Sequence, residues 1–156
     1  MRKELAIVGL SLVLASCSTN KPSIEQRVGQ CNASMCRISL YPGETIYVEA
    51  EEKNGQLENR RVVTDNSNPD RTLVLKLEQL PAPLGMMLNV TNPFQEMLKY
   101  HVEMMIPGED KLRQTSSCPV VPNGGQGLEM WPHPISQLVF HDFRMLEPEA
   151  EMRCEY

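Results

Sequence analysis

The sequence predicts an all-β fold, an immunoglobulin-like β-sandwich of about seven to eight antiparallel strands, on three observations. Apolar and polar residues alternate over short runs, the period of a half-buried strand. Turn chemistry recurs between those runs at a spacing of roughly ten residues. The 156-residue chain also carries 12 prolines and few stretches of helical period. A barrel is the competing way to close the same strands.

Taken in order, Cys36, Ile38 and Leu40 alternate with Arg37, Ser39 and Tyr41, and Pro42-Gly43 turns the chain. Ile46, Val48 and Ala50 then alternate with Tyr47, Glu49 and Glu51. Asn54-Gly55 is a hairpin signal because both residues tolerate positive φ, and Arg61–Thr64 is the expected return strand. The polar run from Asp65 to Asp70 is a loop. Leu73, Leu75 and Leu77 form the next strand, broken by Pro81 and Pro83, and Met86, Leu88 and Val90 another, ended by Asn92-Pro93. Leu98, Tyr100, Val102, Met104 and Ile106 make the longest alternation, and Pro107-Gly108 turns it towards Lys111–Ser117. Gln137–Leu146 is the last strand. Leu138 and Phe140 fall in one phase and Val139, Phe143 and Met145 in the other, so this strand is either covered on both faces or carries a bulge. The core tryptophan of immunoglobulin domains has no counterpart, because the single tryptophan, Trp131, is expected in a proline-flanked loop.

Upstream of the strands, Arg2 and Lys3 precede an apolar run from Leu5 to Ala15. That run is too short for a membrane span, which needs about 20 apolar residues. It ends in Leu14-Ala15-Ser16-Cys17, which resembles the lipobox of bacterial lipoproteins: a long apolar residue, two small ones, then cysteine. The resemblance implies cleavage after Ser16 and acylation of Cys17. It divides the chain into a signal peptide (1–16), an acylated cysteine with a polar tether (17–30) and the β-sandwich domain (31–156). With Ser18 rather than Asp after the cysteine, the resemblance also implies a lipid-anchored outer-membrane protein facing the periplasm.

Loss of residues 1–16 removes Arg2, Lys3 and Glu4, so the formal charge moves from −5 to −6. With no basic block beyond Arg60-Arg61, nucleic acid is not an expected partner, since phosphate contacts need clustered Lys and Arg. The membrane contact falls to the acyl chains. Of five cysteines, Cys17 is reserved for lipid. Cys31, Cys36, Cys118 and Cys154 remain for two disulfides in an oxidising compartment, with three connectivities open. Cys31–Cys36 with Cys118–Cys154 is the favoured pairing. Their spacing is poor for a cysteine zinc site.

Chemistry-bearing residues are sparse. No G-x-S-x-G elbow, P-loop, dinucleotide fingerprint or H-E-x-x-H occurs, so neither an enzyme nor a cofactor is expected. The segment from Thr115 to Pro134 reads as a long proline-stiffened loop, and Glu129, Trp131 and His133 are its candidate partner-binding residues. The function that follows is a membrane-anchored envelope lipoprotein whose sandwich is a non-catalytic binding or assembly module, with an envelope protein as partner. The competing function is a copper- or zinc-binding lipoprotein. His101 and Glu103 share one face of a strand, and His141-Asp142 lie on another. Were those strands neighbours, two imidazoles and a carboxylate would converge. With no H-x-H pair and no M-x-x-M series among ten methionines, the residue-level expectation is a solvated sheet face and no metal ligands.

Overall fold

A computed structural model describes residues 23–24, 37–147 and 152–155. The leader, Cys17, Cys31 and Cys36 lie outside them. The strands are β1 (Ile38–Leu40), β2 (Thr45–Lys53), β3 (Gln56–Val63), β4 (Thr72–Gln79), β5 (Met86–Asn92), β6 (Met97–Met105), β7 (Arg113–Thr115), β8 (Gly125–Trp131) and β9 (Gln137–Leu146). All pair antiparallel, so the all-β expectation holds. They form one sheet in the order β7-β6-β9-β3-β2-β4-β5-β8, with β1 added beside β9. Strand twist accumulates along such a sheet. Here it curls until the two ends face each other, which makes the layered, sandwich-like body.

The concave face is the core. Ile46 and Val48 of β2, Leu73, Leu75 and Leu77 of β4, Leu88 and Val90 of β5, and Leu98, Tyr100 and Val102 of β6 are all at most 1% exposed. Each fully buried side chain of this kind stabilises the fold by about 1.5–3 kcal/mol relative to exposure. The ring of Tyr100 packs on Phe140 and Phe143, with centroids 5.5 and 6.1 Å away. Asn54 and Gly55 take φ of 53° and 71°, the two positive angles that an Asn-Gly hairpin requires. The return strand begins at once, at Gln56 rather than Arg61.

One strand departs from the expected pattern. The segment 115–134 is not a continuous loop, because β8 runs through it and pairs with β5 from Met86↔Trp131 to Asn92↔Gly125. Its alternation is inverted. Leu128 and Met130 point outward, 59% and 57% exposed, while Gly127, Glu129 and Trp131 take the inward positions. Gly127 leaves room for Val120, since a Cβ there would lie 2.7 Å from Val120 Cγ2. Trp131 is therefore a buried strand residue, 8% exposed, rather than a loop residue available to a partner. Its indole fills the closing end of the curl, where Nε1 donates to Thr115 Oγ1 at 3.0 Å.

Cys118 and Cys154 form a disulfide across a sequence separation of 36. It ties the C-terminal tail to the segment after β7, where Ser117 and Glu155 exchange backbone hydrogen bonds of 2.8 and 3.1 Å. In the chain-entropy view a loop of this length restricts the unfolded chain by about 4 kcal/mol. A Cys118→Ser, Cys154→Ser double variant should lose about that much stability in urea denaturation. A loss below about 1 kcal/mol would contradict this role for the bridge.

Candidate functional site

The site starts from a backbone irregularity. Between β6 and β9, Lys99 pairs with Arg144 and His101 with His141, so Tyr100 alone faces Asp142 and Phe143. The extra residue is a β-bulge, and Asp142 takes φ of +51°, a left-handed conformation that aspartate tolerates better than most residues. The bulge resolves the conflicting phases of β9. Leu138 and Phe140 before it and Phe143 and Met145 after it all reach the core. It also leaves His141 and Asp142, adjacent in sequence, together on the outer surface.

His101 lies directly across from His141 on β6, with ring centroids 5.5 Å apart. Asp142 Oδ2 sits between them, 3.2 Å from His101 Nδ1 and 2.8 Å from His141 Nδ1. One ligand atom from each of the three residues can be chosen so that all lie within 4.8 Å of one another. Tetrahedral bonds of about 2.0–2.1 Å require ligand atoms about 3.3 Å apart, so the two contacts to Asp142 are already near that spacing, and the set as a whole, within 4.8 Å, closes by up to about 1.5 Å on taking an ion. The hydrogen bonds from His141 and then His101 hold the Asp142 carboxyl below its ordinary range. Asp142 is 64% exposed, His101 31% and His141 18%, an arrangement open to solvent on one side. On the far edge of His141, Nε2 lies 3.9 Å from Glu103 Oε2, and that same oxygen pairs with the Arg37 guanidinium.

Chemically, two neutral imidazoles and one carboxylate suit zinc or copper(II) and suit copper(I) poorly. Strand pairing thus brings together His101, His141 and Asp142, which alternation alone leaves on separate strands. The signal for it was the mixed phase of β9, which left open a bulge or a strand covered on both faces and did not say which residues a bulge would expose.

Of the residues expected to contact a partner, Glu129 and Trp131 lie on β8 rather than in a loop, while His133 stays in the loop that follows it. Glu129 points into the curl, where Oε1 accepts from the Tyr100 hydroxyl at 2.9 Å and from the Cys118 amide at 3.2 Å. Its Oε2 is buried and has no hydrogen-bond partner among the described residues. His133 is held by its own loop, with Nδ1 donating to the Pro134 carbonyl at 3.1 Å. Beside this cluster Lys99 is 1% exposed, and its ammonium donates to the Ser117 carbonyl. Burial lowers the Lys99 pKa and raises those of Tyr100 and Glu129. The outcome is a structural polar cluster that sequence reasoning missed, because its members come from three separate segments.

A wider concavity of about 800 Å³ lies against β2, lined by residues that include Glu51, Asp70, Arg71 and Phe94. Within it, Arg71 pairs with Glu51 at 2.7 Å. No protein family, no curated protein and no solved structure matches the chain.

The pH dependence of stability follows from Glu129. Its carboxyl is raised in the folded state, so it contributes stability below the ordinary carboxylate pKa and loses it as pH rises through the raised value. Wild type should therefore lose stability relative to Glu129→Gln across that interval, read by urea denaturation at a series of pH values. A difference between the two proteins that does not change with pH would contradict the assignment.

Proposed function

We propose that this chain is a lipid-anchored envelope protein whose β domain is a binding module for a divalent transition metal, zinc or copper(II). The observation that carries the metal reading is the convergence of His101 Nδ1 and His141 Nδ1 on one Asp142 oxygen, at 3.2 and 2.8 Å. Three ligands of this type leave one tetrahedral position open to water or to an exchanging ligand. The site also sits on paired strands rather than on a loop, so the ligands are held before the ion arrives and little ordering entropy opposes binding.

The anchored part of the reading rests on Leu14-Ala15-Ser16-Cys17. Each buried methylene of an acyl chain stabilises membrane association by about 0.8 kcal/mol, and two chains make attachment stable. A tether of 17–30 would then hold the metal centre within reach of the membrane surface.

Titration of the tag-free chain with Zn(II) or Cu(II), followed calorimetrically, should show one ion bound with a dissociation constant of roughly micromolar, about −8 kcal/mol. A His101→Ala, His141→Ala double variant should bind at least about 100-fold more weakly, a loss of about 2.7 kcal/mol or more. Wild-type affinity no better than that of the double variant removes the metal reading.

The anchor is tested separately in cells. Cys17→Ser should move the chain from the detergent phase to the aqueous phase in phase partitioning, and equal partitioning of both forms would remove the lipid reading.

A further inference from the structure

We infer that Glu103 is a positioning residue for the metal centre, fixing through His141 Nε2 which nitrogen of that ring meets the ion. The inference rests on the metal reading above and adds a residue to it. The two nitrogens of an imidazole point in diverging directions. His141 Nδ1 faces Asp142 Oδ2 at 2.8 Å and His141 Nε2 faces Glu103 Oε2 at 3.9 Å. A carboxylate on the Nε2 edge is on the wrong side of the ring to reach an ion held at Nδ1. What it can do is accept the Nε2 proton.

That proton exists only in one tautomer. With Nδ1 committed to the metal, the neutral ring carries its hydrogen on Nε2, and a carboxylate acceptor there holds the ring in that tautomer. The surroundings fit this role. Glu103 is 20% exposed and His141 18%, so their interaction is less screened than one between open surface groups. Glu103 does not drift as a free surface carboxylate would, because the Arg37 guanidinium pairs with the same Oε2. The register holds the geometry as well. Glu103 is two residues along β6 from His101, which pairs with His141, so the carboxylate and the imidazole are diagonal neighbours on one face. Closing the 3.9 Å separation to a hydrogen bond takes about 1 Å of side-chain movement.

The test uses the full chain with its disulfide intact and Zn(II) as the probe, in wild type, Glu103→Gln and Glu103→Ala. Outer carboxylates on metal-bound histidines typically change affinity about 10–100-fold. Glu103→Ala should fall in that range and Glu103→Gln, which keeps an acceptor oxygen without the charge, should lie between it and wild type. Thermal unfolding of the ion-free proteins checks that both variants fold. Nitrogen-15 NMR of the zinc-loaded proteins should show His141 bound through Nδ1 with a proton on Nε2 in wild type and a share of rings bound through Nε2 in Glu103→Ala, a change that loss of a merely structural glutamate would not produce. If wild type binds zinc and both variants match it, the role of Glu103 is overturned while the metal site stands. Zinc bound through His141 Nε2 in wild type also overturns it. Absence of zinc binding by wild type removes the metal site and this inference together.

Discussion

The bulge at Asp142 is the constraint on which both the core and the candidate site depend. A regular β9 would send either Leu138 and Phe140 or Phe143 and Met145 to the outer face, because side chains alternate strictly along a strand. Losing two such residues from the core would cost several kcal/mol at about 1.5–3 kcal/mol each. The bulge keeps all of them inside at the expense of one left-handed residue, a strain of about 1–2 kcal/mol. The same backbone step leaves His141 and Asp142 on one surface opposite His101. Packing therefore stabilises the geometry of the site, and the site is not built at the fold's expense.

The other end of the curl is held by polar contacts. Tyr100 belongs to the core by its ring, yet its hydroxyl crosses to Glu129 on β8, while Trp131 crosses to Thr115. Buried groups of this kind are costly unless they are paired, and their pairing selects one closure of the sheet over others. The Cys118–Cys154 bridge lies alongside, with Lys99 buried beneath the same segment and bonded to Ser117. Covalent, charged and hydrogen-bonded constraints thus concentrate where the hydrophobic sheet faces alone would leave the curl free to open.

How much of this was legible in the sequence varies by element. β2, β4, β5 and β6 could be read from alternation, because each has one buried and one wetter face. β8 could not, because glycine and glutamate hold its inward positions and Leu128 and Met130 its outward ones. The Asn123-Gly124 pair, with φ of 58° and 81°, was the available turn signal ahead of it. Trp131 followed from the same error, since proline neighbours suggested a loop while the register with Met86 buries the indole. For the site, His101, Glu103, His141 and Asp142 were visible as residues, but strand neighbours are set by long-range pairing that alternation does not encode. Cys118 and Cys154 were paired from cysteine arithmetic and a compartment argument, and the structure joins them.

A small sheet surface that gathers two imidazoles and a carboxylate is the feature on which the proposed metal-binding role rests. The central claim is the identity of the ligands. Zinc-edge X-ray absorption of the chain loaded with one equivalent of Zn(II) tests it most directly. Nitrogen and oxygen scatterers are expected at about 2.0–2.1 Å, with the multiple-scattering pattern of two imidazoles that disappears in the His101→Ala, His141→Ala variant. A shell of water oxygens alone, sulfur at about 2.3 Å, or an imidazole pattern that survives in that variant would contradict it.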